Sequence, residues 1–251
     1  MIAHKFLGAG ATGLYSGFRW PVAKNGQVGP WVEVDGPLRL GVNGVHALTA
    51  RELVDWIDDE LWLVELGGEI EQHEGILLAR RGRLVRLVDA WDSATAHSFT
   101  EECVLRVRDC AIEALRGVGR PGDADAVGAL DDDDALQAYV AVLAARVAGF
   151  PAALLAYVAD AIELSRGGRP DNYRGHPAET SPASPGAIAA NLGFVAAHVA
   201  GSAFADATGD PEQYEAGFER ERDRQRSWLT ELLRPHDEWL ADVEGAQRQP
   251  C

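Results

Sequence analysis

The amino-acid sequence changes character near His97, and this change limits the fold more than any single motif does. Before His97 the chain is rich in Gly and Trp, and short β-forming runs alternate with turn residues. Beyond it, Ala-rich segments repeat their apolar residues at helical spacing. The sequence therefore predicts an α+β chain, with a sheet-rich domain at residues 1–97 followed by a helical domain at residues 98–251.

The first half contains segments of strand length that are separated by Gly-containing turns. Thr49 and Glu52 have the spacing of a reciprocal helix cap, which predicts one helix directly after Thr49. The dipeptide Arg81-Gly82 predicts the turn of a hairpin. Together these patterns favour a mixed, mainly antiparallel sheet that carries one helix. The predicted strands are Ile2–Leu7, Gly17–Val22, Trp31–Val34, Leu61–Leu66, Ile76–Ala79 and Leu84–Val88.

The second half predicts helices that pack as an antiparallel bundle. Its most apolar run, Gly186–Ala205, approaches the length of a membrane span. Because this run contains Asn191 and His198 and is built from Ala and Gly rather than Leu, we expect a buried helix instead. The predicted helices are Phe99–Leu115, Asp134–Val147, Ala152–Arg166, Gly186–Ala207 and Glu212–Leu233.

The charge of the chain argues against several classes of partner. The formal net charge is −16, with −4 in residues 1–97 and −12 in residues 98–251. Such a charge repels phosphate backbones and anionic lipid surfaces. We therefore expect no nucleic acid and no membrane as a partner, and the sequence leaves a homo-oligomer open.

The cysteines indicate a reducing compartment. Cys103 and Cys110 are separated along a predicted helix by about 10 Å, too far for a disulfide. Cys251 is the last residue of the sequence. Glycines at Gly8 and Gly10 interrupt the N-terminal apolar run before the core of a signal peptide is reached. These features predict a cytoplasmic protein.

No recognised nucleotide, metal or nucleophile motif occurs in the sequence. The segment Gly8–Gly13 has the spacing of a dinucleotide-binding fingerprint and follows a predicted strand. The residues after it include Gly17 and Pro21, which prevent the helix that would hold the phosphates. We therefore expect a loop at Gly8–Gly13, and neither a cofactor nor a metal.

Three motifs of the first half carry a resemblance to known proteins. They are Ser16-Gly17-Phe18-Arg19-Trp20-Pro21, Asn43-Gly44-Val45-His46-Ala47 and Trp62-Leu63-Val64-Glu65-Leu66. They resemble a family of uncharacterised actinobacterial proteins with an N-terminal sheet and a helical C-terminal half, over nearly the whole chain. The start of the chain, less than a third of it, also resembles a small domain of uncharacterised phage and bacterial proteins. Neither resemblance implies an activity.

A further similarity implies an alternative chemistry. The order of a strand, Gly44-Val45-His46, a helix and a strand ending in Glu65 is similar to small ADP-ribosyltransferase-like folds. This resemblance implies that His46 lines a nicotinamide pocket and that Glu65 or Glu69 stabilises a ribosyl cation. The first strand lacks the Tyr/His/Arg-Gly-Thr triplet of those folds, unless Ser16–Arg19 replaces it.

Polar side chains recur along one face of the helix predicted at Gly186–Ala207. Asn191 and His198 are seven residues apart, which places them on the same face. On the preceding predicted helix, Asp160 is the only charge in an apolar run that also contains Tyr157. If the two helices are neighbours, Asp160 is placed to orient His198 as a general base. The alternative is a buried polar pair that fixes helix packing.

These observations predict a cofactor-independent enzyme of cyclase, isomerase or lyase type. It would perform acid–base chemistry on a small organic metabolite in a pocket between sheet and helices. The alternatives are an ADP-ribosyltransferase-like enzyme that uses NAD and a non-enzymatic acidic interaction module. The predicted catalytic residues are His46, His198, Asp160 and Glu65, and the predicted substrate-binding residues are Arg19, Trp20, Trp62, Asn191 and Tyr157.

Overall fold

A computed structural model of the chain describes residues 1–22, 27–168 and 184–247. It confirms the α+β class, because the N-terminal half forms an antiparallel sheet and the C-terminal half forms helices. The chain divides into two compact units. The first contains Met1–Thr95 together with the chain from Gln225 onward, and the second contains Ala96–Arg224. Whether the predicted domains, residues 1–97 and 98–251, fold independently stays a prediction.

The first unit is built on five strands whose pairings are all antiparallel. Strand β1 lies between β3 and β4, and β5 pairs with both β3 and β4, so four strands close into a ring. Strand β2 pairs with β5 at Arg81 and Gly82, beyond the residues of β5 that pair with β3. The predicted strand Gly17–Val22 is wrong, because Arg19 there forms only an isolated bridge with Thr12. The strands are β1 Ile2–Leu7, β2 Val32–Glu33, β3 Val45–Leu48, β4 Glu60–His73 and β5 Ile76–Leu87.

The hairpin turn lies at Glu74-Gly75 and not at Arg81-Gly82, so the predicted turn is wrong. Glu74 and Gly75 have φ angles of 48° and 92°, and two successive positive φ angles are typical of the two-residue turn that matches strand twist. Strand β5 continues straight through Gly82. A side chain at Gly82 would approach Val45 Cγ1 to 2.7 Å, so the glycine permits close packing rather than a turn.

The inner face of the ring forms the apolar core of the first unit. Side chains from each of the four ring strands pack together there with Trp20 from the loop after β1. The helix predicted after Thr49 is a 3-10 helix, Ala50–Trp56, and the side chain of Thr49 makes no capping hydrogen bond. The capping prediction was therefore wrong, although Leu53 and Val54 of this helix are buried as core residues. Representative core residues are Ala3, Leu7, Val45, Ala47, Trp62, Val64, Leu77, Ala79 and Leu84.

In the second unit, all the secondary structure of the described residues is helical. Their caps follow the sequence signals: Asp132 accepts a hydrogen bond from Ala135 N at 2.8 Å, and Ser184 accepts one from Ala187 N at 3.3 Å. The sequence prediction missed α2, because its Gly and Asp residues have low helix propensity. The helices are α1 Ser93–Gly117, α2 Pro121–Gly128, α3 Asp133–Ala144, α4 Phe150–Ser165, α5 Pro185–Thr208 and α6 Tyr214–Gln247.

Helix α5 is long and apolar enough to cross a membrane by length and composition alone. This is weak evidence for a span, because core helices of soluble proteins pass the same test. Its small residues instead allow close packing. A side chain at Gly217 of α6 would lie 2.9 Å from Ala200 O and 3.0 Å from Gly201 Cα, so the two helix backbones nearly touch.

A buried carboxylate joins α1 to α6. The side chain of Glu221 is 1% exposed and accepts hydrogen bonds from Arg106 Nε at 2.9 Å and from Arg224 Nη2 at 2.9 Å. Next to it, Cys103 and Cys110 are free and buried. Burial raises the pKa of the Cys110 thiol to about 11, so this thiol is unreactive at neutral pH. Cys251 lies outside the described residues.

Candidate functional site

The first unit contains a cavity of about 390 Å³, a volume suited to a small organic molecule. Strand β1, the loop that follows it, strand β2 and the segment leading into β3 form its walls. Aromatic rings contribute to the lining, and Phe18 and Trp20 pack edge to face with their centroids 5.8 Å apart. The aromatic lining residues are Phe6, Tyr15, Phe18, Trp20 and Trp56, and the charged or polar ones are Lys5, Ser16, Glu33, Asn43 and His46.

Lys5 places an amine in this cavity from within strand β1. Because side chains alternate along a strand, Lys5 shares the inner face of the ring with Ala3 and Leu7. Its Nζ donates a hydrogen bond to His46 O at 2.6 Å and lies 5.4 Å from the centroid of the Trp20 ring. Burial lowers the pKa of Lys5 from 10.5 to about 8. The amine is thus withdrawn from solvent and anchored to main chain, and it loses its proton more readily than an ordinary lysine does.

No carboxylate of the described ranges forms an ion pair with Lys5. An ammonium has three hydrogen-bond donors, and His46 O is the one acceptor that the structure describes for it. Glu33, the acidic residue of the lining, is exposed. Burying a charge without an opposite charge is unfavourable, which explains why the pKa of Lys5 falls. It also leaves this amine available to a ligand.

The pKa shift of Lys5 makes stability depend on pH. The folded-state pKa of about 8 lies below the unfolded value of 10.5, so between these values the unfolded chain binds more protons. The free energy of unfolding should therefore rise with pH through this window. At pH 7, below both pKa values, the destabilisation caused by the buried ammonium should be complete. We expect Lys5→Met to raise the free energy of unfolding by roughly 1–2 kcal/mol at pH 7, because loss of the hydrogen bond offsets part of the gain.

Denaturant unfolding at pH 7 and at pH 10 measures this effect, and the difference between wild type and Lys5→Met should shrink at the higher pH. A direct control uses the small number of lysines in the chain, Lys5 and Lys24. In protein labelled with ¹³C at the lysine ε carbon, one of two signals should titrate near pH 8 and disappear in Lys5→Arg. Two signals that both titrate near the ordinary lysine pKa would contradict the prediction.

His46 lines the cavity, and its ring accepts a hydrogen bond from main chain. Gly41 N donates a hydrogen bond to His46 Nε2 at 2.9 Å. Burial and the positive charge of Lys5 lower the pKa of His46, and the Gly44 hydrogen bond raises it. The imidazole therefore fixes the turn before β3. Proton transfer by His46 stays a prediction.

The other predicted residues of the first unit lie in different environments. Trp20 is buried and lines the cavity. Trp62 belongs to the core and donates a hydrogen bond from Nε1 to Glu60 at 2.8 Å. Arg19 is exposed. Neither Trp62 nor Arg19 lines the cavity. Glu65 lies on the outer face of β4 and pairs with Arg83 at 2.6 Å. The structure thus does not bring Glu65 together with His46.

Glu60 explains the glycine-rich loop. Its carboxylate accepts hydrogen bonds from Gly10 N at 2.8 Å and from Ala11 N at 3.1 Å. Backbone N–H groups of such loops are the donors that hold a phosphate in a dinucleotide site. Here a side-chain carboxylate takes that place, so Gly8–Gly13 is a loop anchored within the first unit.

Asp58, two residues before Glu60, is a second group whose ionisation should make the stability of the protein depend on pH. Burial raises the pKa of Asp58 to about 6, with smaller contributions from the charges of Asp59 and Glu60. Because the folded pKa exceeds the unfolded value of 3.8, stability from this group is present at low pH and is lost as pH rises through about 6. We expect Asp58→Asn to raise the free energy of unfolding by about 1 kcal/mol at pH 7.5, after allowance for partial exposure.

The variant is informative because an Asn side chain still accepts the hydrogen bond from Asp59 N, which is 2.8 Å long in the structure. Urea denaturation at pH 4 should show little difference between wild type and Asp58→Asn. The exposed Asp35→Asn serves as the control and should change stability at neither pH. A variant less stable than wild type at pH 7.5 would contradict the assignment.

In the second unit the structure assigns His198 partners other than the predicted one. Nε2 of His198 lies 3.2 Å from the Tyr157 hydroxyl, and Nδ1 lies 2.8 Å from the Tyr214 hydroxyl. Asp160 forms no described ion pair with His198, and burial together with the charge of Glu163 raises its pKa. The predicted Asp160–His198 pair is thus replaced by a histidine held between two tyrosines.

The structure brings together Tyr157 and His198 from the predicted set, and Asn191 lies two turns before His198 on α5. These residues belong to the second unit, whereas His46, Glu65, Arg19, Trp20 and Trp62 belong to the first. Across the described ranges, no group of three His, Cys, Asp or Glu side chains is arranged to hold a metal ion.

Sequence reasoning missed Lys5, Glu60 and Tyr214. For Lys5 a signal existed, because a period of two along Ile2–Leu7 places this lysine on the same side as Ala3 and Leu7. Glu60 and Tyr214 had no such signal, since their partners depend on how distant segments meet.

Comparison of the chain with protein-family models, with curated proteins and with solved structures gave no match.

Proposed function

We propose that the chain is an enzyme that performs acid–base chemistry on a small, uncharged organic molecule, with Lys5 as the group that transfers the proton. The observation that carries the proposal is an amine without a described carboxylate partner on the wall of an aromatic cavity. This keeps the class predicted from the sequence, a cofactor-independent isomerase, lyase or cyclase. It moves the proton transfer from His46 and His198 to Lys5.

The proton affinity of Lys5 suits this role. A general acid or base works best when its pKa lies near the working pH, because both protonation states are then populated. With a pKa of about 8, Lys5 has an appreciable neutral fraction at pH 7.5. Lysine is also the basic side chain that gives up its proton when buried, whereas arginine does not. Of the 23 Lys and Arg residues in the chain, only Lys5 and Lys24 are lysines.

The lining of the cavity favours an uncharged ligand. Among the described residues that line the cavity, Lys5 is the one lysine or arginine, and the chain as a whole carries a net charge of −16. An anionic ligand would therefore meet one cation and a repulsive field. The aromatic rings of Phe18, Trp20 and Trp56 supply apolar surface for the body of the ligand. No described contact favours ADP-ribosyl transfer, because Glu65 is paired with Arg83.

Hydrogen exchange at carbon tests the proposal without knowledge of the substrate. Nitroethane is a small, uncharged carbon acid, and its α-hydrogens exchange in D₂O when a base removes them, which ¹H NMR follows directly. We expect wild type to accelerate this exchange and Lys5→Arg to lose at least about tenfold of the acceleration, a typical size for removal of a general base. Lys24→Arg, the same change at the other lysine, is the control. Equal rates for wild type and Lys5→Arg would refute the proposal.

A further inference from the structure

We infer that Lys5 binds its substrate covalently, as an imine formed with an uncharged aldehyde or ketone. This inference rests on the proposed function, since it requires that a small molecule enters the cavity beside Lys5. It adds the class of substrate and the bond that holds it. The geometry of the amine, the charge balance in the cavity and the aromatic walls support it.

The hydrogen bond of Lys5 presents the amine in a reactive arrangement. A neutral amine has two N–H groups and one lone pair, and one N–H is directed to His46 O, 2.6 Å from Nζ. The lone pair is therefore not consumed by that contact. No described carboxylate binds Nζ and holds the amine in its protonated form. Both conditions are needed for attack on a carbonyl carbon.

The reaction balances without any other reagent. Nζ loses a proton to solvent and its lone pair forms a bond to the carbonyl carbon, which gives a carbinolamine. The carbinolamine oxygen then takes up protons and leaves as water, and a C=N bond remains. In total, ammonium and carbonyl compound give a protonated imine and water, and the positive charge is unchanged. No oxidation or reduction takes place.

The protonated imine carries the same positive charge as the ammonium and should interact with the cavity in a similar way. The Trp20 ring, whose centroid lies 5.4 Å from Nζ, stabilises a positive charge at this position in either species. An uncharged substrate with an apolar or aromatic body would contact Phe18 and Trp56. A protonated imine withdraws electrons from the neighbouring carbon and makes its hydrogens more acidic. Isomerisation and elimination both begin with removal of such a hydrogen.

Reductive trapping with benzaldehyde tests the inference. Wild type is incubated with benzaldehyde and cyanoborohydride at pH 7.5, and the modified amines are located by peptide mass spectrometry. We expect Lys5 to be labelled at least about tenfold faster than Lys24, because more of a weakly basic amine is neutral at this pH. Benzyl alcohol, which has the same ring but no carbonyl group, should slow the labelling of Lys5 by competing for the cavity. Glyoxylate, an anionic aldehyde, should label Lys5 more slowly than benzaldehyde does.

The outcomes separate the two proposals. Equal labelling of Lys5 and Lys24, or labelling of Lys5 that benzyl alcohol does not slow, would overturn the inference. If Lys5 is not labelled while nitroethane exchange still depends on it, the inference fails and the proposed function stands. If neither reaction depends on Lys5, both fail. These measurements use wild type for the labelling, so a folding defect in Lys5→Arg would not affect the result.

Discussion

Glu221→Gln should lower the free energy of unfolding of the second unit by about 2–4 kcal/mol. The carboxylate is 1% exposed and accepts hydrogen bonds from both Arg106 and Arg224. Replacing it with a neutral amide leaves two cations facing each other without the anion between them. Because Arg106 and Arg224 are partly exposed, water offsets some of the loss. Denaturant unfolding followed by helical circular dichroism measures the effect.

The matched control is Glu101→Gln on α1. Glu101 also pairs with a basic residue, His97, at 3.3 Å, but both side chains are more than half exposed. Exposed pairs of this kind contribute little, so we expect a change within about 0.5 kcal/mol. Similar losses for Glu101→Gln and Glu221→Gln would show that burial of Glu221 does not determine its contribution.

Gly217→Ala should destabilise the second unit by about 2–3 kcal/mol. A Cβ at this position would lie 2.6 Å from Phe204 Cβ and 2.9 Å from Ala200 O. Two of its nearest neighbours are backbone atoms of α5, which a rotamer change does not move. The helices must therefore separate, and the packing lost exceeds the gain of roughly 1 kcal/mol that Ala brings to a helix.

Gly117→Ala isolates the helix-propensity effect. Gly117 ends α1, and a Cβ there would meet nothing within 4 Å. This variant should be neutral or more stable by up to about 1 kcal/mol. Thermal unfolding of both variants side by side gives the comparison. A Gly217→Ala protein as stable as Gly117→Ala would contradict the close contact of α5 and α6.

Periodicity was sufficient to predict most of the helices. The Ala-rich segments repeat their apolar residues at helical spacing, and α4 and α5 lie where the pattern places them. The short α2 was not predictable in this way, because its propensity is low and packing of Ala124 and Val127 stabilises it. Caps such as Asp132 were predictable, since they depend on neighbours only a few residues away.

Strand boundaries and turns were harder to predict from the sequence. Arg81-Gly82 has the composition of a turn, yet Gly82 lies within β5 because a distant residue, Val45, packs against it. The true turn at Glu74-Gly75 carries a residue that is uncommon at positive φ. In both cases contacts between segments far apart in sequence overrode local preference.

The candidate site was predicted only in part. Trp20 and His46 do line the cavity, because the motifs that contain them form its walls. The hydrogen bond from Gly41 N to the His46 ring was not predictable, since it becomes visible only in the folded turn. Lys5 was predictable in principle from strand alternation. That its amine has no described carboxylate partner depends on the three-dimensional arrangement.

The strand pairings of the ring differ in how far apart their partners lie in the sequence, and we expect this difference to affect the order in which they form. Strands β4 and β5 are adjacent in sequence and joined by two residues, so their pairing has a small entropic cost. Strand β1 pairs with β3 and β4 across long intervening segments, and because closing such loops has a larger entropic cost, we expect these pairings to form later. Since Lys5 lies on β1, the amine reaches its position with the strand that completes the ring. A ligand bound at Lys5 would therefore recognise the finished unit and not its folding intermediates.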